Sequence, residues 1–265
     1  MYYPLEKDTS YVQPIDLLKL EGDRFELPGD FVDGLSTLRP FVKRRGNPVE
    51  QWVHLIDGNF IVITNSIIIE FKLLPGTLPD LKFSSGLVRL LEAFESLPTS
   101  LILDGKKFGF EWSDGQQLTS VFTVNQGPIW FADSGPIGSA RGTAVDNYWQ
   151  FDKSKPICAN QRKDVLHSLS VLKTSEDVFL LDDWLVTRGS SKANSASHSF
   201  EHVDQFSTNS ERPMRFDRTA FRLMMKVAEC VDFSVSPVCF RHANGRGLIV
   251  ERTLGSDVPE LDWVE

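Results

Sequence analysis

The sequence predicts an α+β fold in two repeated units, each with two helices packed on an antiparallel sheet. The order helix, strands, helix, strands occurs twice within the 265 residues. Corresponding helices lie roughly 130 residues apart, as in a duplicated unit. Pairs such as Asp57-Gly58 separate runs rich in Val and Ile, which is typical of β-hairpins. Residue identity between the halves is negligible, so the repeat is one of pattern.

Length, composition and charge indicate which class of protein the sequence encodes. The chain is long enough for two units that each bury a core. It is 41% hydrophobic and 24% charged with a formal charge of −8, which predicts a soluble globular protein. No apolar run approaches the roughly 20 residues that span a bilayer. The start "MYYPLEKDTS" lacks the pattern of a signal peptide, and three scattered cysteines favour a reducing, intracellular compartment.

The first half contains two predicted helices. Helical spacing of apolar residues indicates one in "FVDGLSTLRPFV", which Pro40 shortens or kinks. Strands around the Asp57-Gly58 turn follow. The second helix lies in "SSGLVRLLEAFESL", with Ser84 or Ser85 as its N-cap. Another strand pair then turns near Asp104-Gly105.

The second half repeats this order after a segment rich in Gly and Pro, "NQGPIWFADSGPIGSARGTAVDN". A third helix is predicted in "NQRKDVLHSLSVLK" with Asn160 as its cap, followed by strand-like runs in "DVFLLDDWLVTR" and "SHSFEHV". A fourth helix covers 216–231, and the last two strands turn at Asn244-Gly245. The predicted organisation is a first unit at 1–130, a connector at 131–147 and a second unit at 148–265.

The fourth helix aligns three basic residues in one row, four residues apart, with Arg218 and Arg222 almost opposite its apolar stripe and Lys226 at the flank. Charges opposite a core face are common, so an ordinary solvated surface is one explanation. All four predicted helices, however, carry a basic residue outside the apolar stripe of an acidic chain. Acidic residues concentrate elsewhere, in "LLDDW", "SEDV" and "DVPELDWVE". This distribution predicts a local cationic surface. Its members are Arg218, Arg222, Lys226, Arg89, Lys163, His167, Arg39, Lys43 and Arg44, with Lys82 a weaker candidate.

This architecture resembles the DNA sliding clamps, the processivity factors of replicative polymerases. The resemblance covers nearly the whole chain. It rests on "FVDGLSTLRPFV" followed by "VHLIDGNFIVITNSIIIEF", and on "FDRTAFRLMMKVAECV" followed by the closing strands. The central segment departs from the family, being longer and richer in Gly than the connector of cellular clamps. The resemblance implies a closed ring of six similar domains from three chains, with helices around the hole and sheets outside.

The resemblance also implies a function and its partners. A sliding clamp has no enzymatic activity and no cofactor, and it encircles duplex DNA while it tethers a DNA polymerase. Lys and Arg on the inner helices would contact phosphates without reading bases, which leaves the ring free to slide. A clamp loader, other clamp-binding peptides and a cytoplasmic or nucleoid-associated location, in a host cell if the protein is viral, are implied as well. Chain length favours a homotrimer over a dimer.

Clamps bind partner peptides in an apolar groove between the connector and the C-terminal region. Trp130 and its neighbours lie in a Gly-rich segment, where exposed aromatic side chains need an apolar partner. Leu248 and Val250 are equally explained as strand core, and both interpretations stay open. The groove candidates are Ile129, Trp130, Phe131, Leu248, Val250 and Trp263.

Motifs for catalysis are absent from the sequence. There is no P-loop, nucleophile elbow or dinucleotide-binding pattern. His198 and His202 fall in a strand-like segment without nearby Cys, so we predict no metal site. Two alternatives remain: a non-enzymatic protein-binding adaptor of duplicated α+β fold that does not encircle DNA, and an enzyme whose site carries no recognisable motif.

Overall fold

Two units with the same order of elements form the chain, as the repeated pattern predicts. The computed structural model describes residues 20–45, 47–74, 76, 78–105, 107–119, 149, 151–171, 176–181, 183–191, 198–206, 208 and 210–255. The first unit contains β1 (Asp23–Glu26), α1 (Phe31–Leu38), β2 (Trp52–Ile56), β3 (Asn59–Ile63), β4 (Ile67–Lys72), β5 (Leu81–Ser84), α2 (Ser85–Glu92), β6 (Ser100–Asp104), β7 (Lys107–Glu111) and β8 (Gln117–Thr119).

The second unit repeats this series element by element. It contains β9 (Lys155–Pro156), α3 (Ala159–Val171), β10 (Asp177–Leu181), β11 (Trp184–Ser191), β12 (His198–Gln205), β13 (Met214–Asp217), α4 (Arg218–Val227), β14 (Cys230–Asp232), β15 (Val238–His242) and β16 (Gly245–Ile249). Short 3-10 turns at Arg39–Phe41 and Pro48–Gln51 complete the first unit.

The sheets show the same duplication. The first unit has strands in the orders β1-β6-β7-β8 and β5-β2-β3-β4, and the second has β9-β14-β15-β16 and β13-β10-β11-β12. β4 pairs antiparallel with β16, from Ile67 opposite Ile249 to Phe71 opposite Gly245. This pairing merges one sheet of each unit into a central sheet of eight strands. β8 and β12 are edge strands in the part of the chain that the structure describes.

One face of the central sheet holds the main core, and the helices cover it. Phe31 of α1 meets Phe60 of β3 edge to face, with ring centroids 5.0 Å apart. Gly34 permits this close approach, because a Cβ there would lie 2.8 Å from the Phe60 ring and 2.9 Å from the Phe71 ring. A second, smaller cluster of buried residues on the opposite face of the same sheet includes Ile61 and Leu248.

Ser84 and the Asp57-Gly58 pair set element boundaries as predicted, whereas α3 begins at Ala159, so that Asn160 lies inside the helix and is not its cap. Ser84 caps α2 by accepting a hydrogen bond from the Leu87 backbone N–H at 3.1 Å. Asp57 and Gly58 turn the β2–β3 hairpin with φ angles of 49° and 71°. These positive angles explain the Asp-Gly signal, since Gly populates that region without strain. The predicted turn at Asn244-Gly245 lies one residue earlier, because Ala243 and Asn244 join β15 to β16 and Gly245 is the first residue of β16.

The predicted extent of the fourth helix is wrong at both ends. The helix is Arg218–Val227, with Phe216 in β13 and Val231 in β14. Asp217 starts the helix by accepting a hydrogen bond from the Ala220 N–H at 2.9 Å. The helix stops where Ala228 takes up an extended conformation. Phe216 and Val231 fit the helical stripe only because buried strand positions are also apolar.

The run "DVFLLDDWLVTR" forms two strands, β10 and β11, that turn at Asp183 with φ 66°. No helix within the described residues is long and apolar enough to cross a membrane. Among those residues, no group of three or more His, Cys, Asp and Glu side chains could hold a metal ion. The predicted connector at 131–147 lies outside the described residues, so the boundaries at 130 and 148 stay predictions.

Candidate nucleic-acid interface

The four helices within the described residues form one row, here called the helical layer. α1 packs beside α2, and α3 packs beside α4. α4 also contacts the Arg39–Phe41 turn that follows α1, so the order across both units is α2, α1, α4, α3. α1 lies against β3 and β4, and α4 against β16. Because β4 and β16 are neighbours in the central sheet, both units present their helices on the same side of the molecule.

α4 displays two cations at the surface of this layer. Its buried stripe consists of Ala220, Phe221, Met224 and Met225, whereas Arg222 and Lys226 are exposed. Among the described residues, no carboxylate forms an ion pair with either of them. The two side chains are one helical turn apart and point away from the sheet, which leaves their charges available to an external anion.

Arg218, predicted in the same row, has a different environment. Its guanidinium is half-buried and donates a hydrogen bond to the Leu169 carbonyl oxygen in the last turn of α3. Carbonyl groups in the last turn of a helix lack the usual partner four residues on, and a basic side chain is well suited to them. Burial, together with the charge of Arg222, lowers the pKa of Arg218. Arg218 therefore joins α4 to α3 in addition to carrying charge.

α3 contributes Lys163 and His167, which are both exposed opposite the buried Val165 and Leu169. Asp164 is exposed beside them, so this helix is less cationic than α4. Sequence reasoning did not select Arg162, which donates a hydrogen bond to the Ala228 carbonyl oxygen at the end of α4. No signal in the sequence pointed to Arg162, because its partner lies in another helix.

In the first unit, two of the predicted cations are held in ion pairs. Arg39 forms a bidentate pair with Glu92 of α2, with Nε–Oε1 at 3.1 Å and Nη2–Oε2 at 3.0 Å. Lys43 Nζ lies 2.8 Å from Glu50 Oε1 and 2.5 Å from Asn65 Oδ1. Their charges are therefore largely compensated within the chain.

The Lys43 contact also affects the titration of Glu50. Burial alone would raise the pKa of the Glu50 carboxyl. Hydrogen bonds from Lys43 and from the backbone N–H groups of Asn65 and Asn47 outweigh burial and lower that pKa below its ordinary value. Glu50 is thus ionised at neutral pH and keeps Lys43 in place.

The remaining first-unit candidates differ in position. Arg89 on α2 and Arg44 after the Arg39–Phe41 turn are exposed, and α1 itself exposes Asp33. Lys82 lies on β5, where its Nζ is 4.1 Å from the centroid of the Trp52 ring, and burial lowers its pKa. It therefore belongs to the sheet and lies outside the helical layer. Within the helical layer, exposed cations without an ion pair among the described residues lie on α4 (Arg222 and Lys226), on α3 (Lys163) and on α2 (Arg89).

A cleft opens where the two units meet, here called the junction cleft. Its volume is about 390 Å³. Phe41, Ile67 and Leu223 provide apolar lining, while Lys43 and Arg252 lie at its polar side. Arg252 is fixed there by Asp177 at 2.6 Å and Asp217 at 2.5 Å.

Two of the six predicted groove residues, Val250 and Leu248, belong to the described residues, and they differ in exposure. Val250 is 41% exposed, and its N–H donates to the carbonyl oxygen of the cleft residue Ser66 at 2.9 Å. Leu248 is 1% exposed and packs in the second cluster, so it is strand core and offers no surface to a partner. Val250 is exposed because it lies just beyond the end of β16 at Ile249. Ile129, Trp130, Phe131 and Trp263 lie outside the described residues.

Several solved structures superpose on the backbone of this chain. A Helicobacter pylori beta clamp bound to a DNA ligase peptide superposes with a TM-score of 0.59 and 12% identity, covering 87% of this chain and 66% of that one. The beta subunit of DNA polymerase III from Thermotoga maritima gives 0.58 at 9% identity, covering 91% and 66%. The corresponding beta chain from Streptococcus pneumoniae gives 0.58 at 12% identity, covering 90% and 67%.

The chain has the sliding-clamp fold. This finding confirms the fold expected from the sequence resemblance. The chain spans about two thirds of the length of the beta clamps, for example 66% of the Helicobacter pylori chain. No protein-family model matches the sequence, and no curated protein is similar to it at the sequence level. The similarity is thus one of backbone architecture.

Proposed function

We propose that this protein is a sliding clamp, a non-enzymatic ring that encircles duplex DNA and tethers a DNA polymerase to raise its processivity. The observation that carries this proposal is the junction between the two units. Inside the chain, β4 of the first unit pairs with β16 of the second. β12 occupies the position of β4 in the duplicated sheet order, and β8 occupies that of β16.

These equivalences supply a way for copies to assemble. β12 and β8 are edge strands in the described part of the chain. Pairing β12 of one copy with β8 of the next would repeat the junction already present inside each chain. Such a contact is head to tail. It closes into a ring when a whole number of copies, each rotated by the same angle from the last, completes a full turn. It would also protect two strand edges that otherwise promote aggregation.

The number of copies in the proposed ring is three. The clamp resemblance implies six similar domains, and each chain supplies two. A homotrimer is therefore the assembly that we propose.

The helical layer would line the hole of this ring. Arg222 and Lys226 are the primary phosphate contacts in the proposal, since they are exposed and have no ion-pair partner among the described residues. The secondary contacts are Lys163, His167, Arg89 and Arg44. Arg218, Arg39 and Lys43 make contacts within the chain and would add less. A net charge of −8 would keep DNA off the outer surface.

Partner peptides would bind at the junction cleft. The Helicobacter pylori beta clamp was solved with a DNA ligase peptide, which supports peptide binding as a property of this fold. In this chain the cleft offers an apolar floor at Phe41, Ile67 and Leu223 with charged groups beside it. Such a combination suits a short peptide with hydrophobic anchors and a polar backbone. A polymerase and a clamp loader are the proteins expected to carry such peptides.

The proposal is tested by comparing how the protein is retained on circular and on linear DNA. The protein is incubated with a nicked circular plasmid and with the same plasmid cut once, and both mixtures are passed through a gel-filtration column in high salt. An encircling ring stays with the circle and is lost from the linear molecule through its ends. Equal retention on both forms would refute encirclement. Because a closed ring can require its clamp loader to open, the incubation is repeated with the cognate loader and ATP, and absence of binding to both forms under those conditions would favour the protein-binding adaptor instead.

A further inference from the structure

The face of the central sheet opposite the helical layer carries two arginines side by side. Arg241 of β15 and Arg246 of β16 are directly opposite each other in the antiparallel register, and Arg246 is opposite Glu70 of β4. Residues paired in this way point to the same face. The two guanidinium groups are here called the arginine pair.

Two stacked aromatic rings hold the arginine pair in place. The rings of Trp149 and Phe151 are nearly parallel, at 13°, with centroids 6.2 Å apart. The Arg246 guanidinium carbon lies 4.2 Å from the centroid of the Trp149 ring, and that of Arg241 lies 4.2 Å from the Phe151 ring. Stacking on rings restrains both side chains before any ligand arrives, which lowers the entropy lost on binding.

Like charges directly opposite each other in a sheet are destabilising, so the arginine pair has a structural cost. Glu70 compensates one member, with its Oε2 3.1 Å from Arg246 Nε. Within the described part of the chain, no carboxylate forms an ion pair with Arg241. Lys72 is exposed beside them, and all four side chains line a cleft of about 470 Å³ together with Asn59 and Phe151. The cleft is thus cationic in a chain of net charge −8.

We propose that this outer cleft is a docking site for an acidic segment of a partner protein. Guanidinium N–H groups match the two oxygens of a carboxylate and bind it more strongly than neutral donors bind. Arg241 and Lys72 provide the uncompensated charges, and the Arg246–Glu70 pair fixes the floor. The site goes beyond the proposed clamp function, since it lies on the face opposite the helical layer and its occupant need not displace DNA.

An acidic peptide fits this site better than a nucleic acid does. Binding of single strands depends on open aromatic faces on which bases stack. Here guanidinium groups lie over a face of Trp149 and of Phe151. A long polyanion would also experience the repulsion of the acidic chain, whereas a short acidic segment responds mainly to charges within a Debye length of about 8 to 10 Å.

The test uses a fluorescein-labelled decapeptide of glutamate and measures its binding to the full chain by fluorescence anisotropy at low salt. The variant Arg241→Gln with Lys72→Gln removes the two uncompensated charges and should weaken binding about tenfold. Arg246 is left intact, because its loss would strand the buried Glu70 carboxylate. Lys107→Gln, an exposed cation on β7, is the matched control and should bind like the wild type. A decapeptide of glutamine should not bind.

Several outcomes would overturn the proposal. These are an absence of glutamate peptide binding by the wild type, an equal loss of affinity in Lys107→Gln, and tighter binding of a thymidine decanucleotide that Arg241→Gln abolishes. Thermal melting of each variant shows whether the fold is kept. Should Arg241→Gln fail to fold, Lys72→Gln alone decides the matter, since Lys72 is exposed. Unchanged peptide binding in that single variant contradicts the assignment.

Discussion

Neutralising the two exposed cations of α4 should change the salt dependence of DNA binding in a calculable way. Arg222→Gln with Lys226→Gln removes two side chains that are exposed and without ion-pair partners among the described residues. Each phosphate contact contributes about 0.9 to the slope of log K against log salt, so the slope should fall by about 1.8 for each copy that contacts DNA. Between 50 and 200 mM salt, that change alters the affinity ratio of wild type to variant by about tenfold.

The assay is fluorescence anisotropy of a labelled linear duplex, titrated with each protein at several salt concentrations. The control variant is Arg39→Gln with Lys43→Gln, which changes the net charge by the same amount. Because Arg39 is paired with Glu92 and Lys43 with Glu50, this control should alter the slope much less. Equal losses in the two variants, or no change in the α4 variant, would show that ion pairs within the chain do not determine which cations contact DNA.

Three further outcomes follow from the structure. Gly34→Ala should lower the free energy of unfolding by about 1 to 2 kcal/mol in urea denaturation, because the overlap with Phe60 outweighs the better helix propensity. Burial lowers the pKa of His54 to about 4. Since the unfolded chain takes up that proton first, stability should fall by about 3 kcal/mol between pH 6.5 and 4, and His54→Leu should flatten this dependence. Leu223→Asp should abolish peptide binding at the junction cleft in calorimetry, whereas Thr219→Ser at its rim should not.

The order of elements could be predicted from the sequence because its signals are local. Asp57-Gly58 specifies a hairpin through its backbone preferences, and Ser84 caps α2 through a hydroxyl three residues from its partner. The short strands β5 and β13 could not be predicted, since four residues that lead directly into a helix carry too little alternation. The same limit explains the wrong ends of the fourth helix.

Which cations of the candidate interface are available to DNA depends on contacts with residues that are far away in the sequence. Arg39 and Glu92 are 53 residues apart, and Arg218 and Leu169 are 49 apart, so no local pattern reveals these contacts. Helical periodicity placed Arg222 opposite the apolar stripe and Lys226 at its flank, and both are exposed. It could not distinguish them from Arg39, because pairing depends on which helix lies alongside. The arginine pair on the other face was missed for the same reason, since strand register alone brings Arg241 next to Arg246.

The mass of the protein in solution tests the central claim most directly. Each chain weighs 29.9 kDa, and a head-to-tail ring of three would weigh about 90 kDa, three times that value. Sedimentation equilibrium or native mass spectrometry at micromolar concentration should detect this trimer. A stable species of one chain under the same conditions would contradict the pairing of β12 with β8 and, with it, the ring.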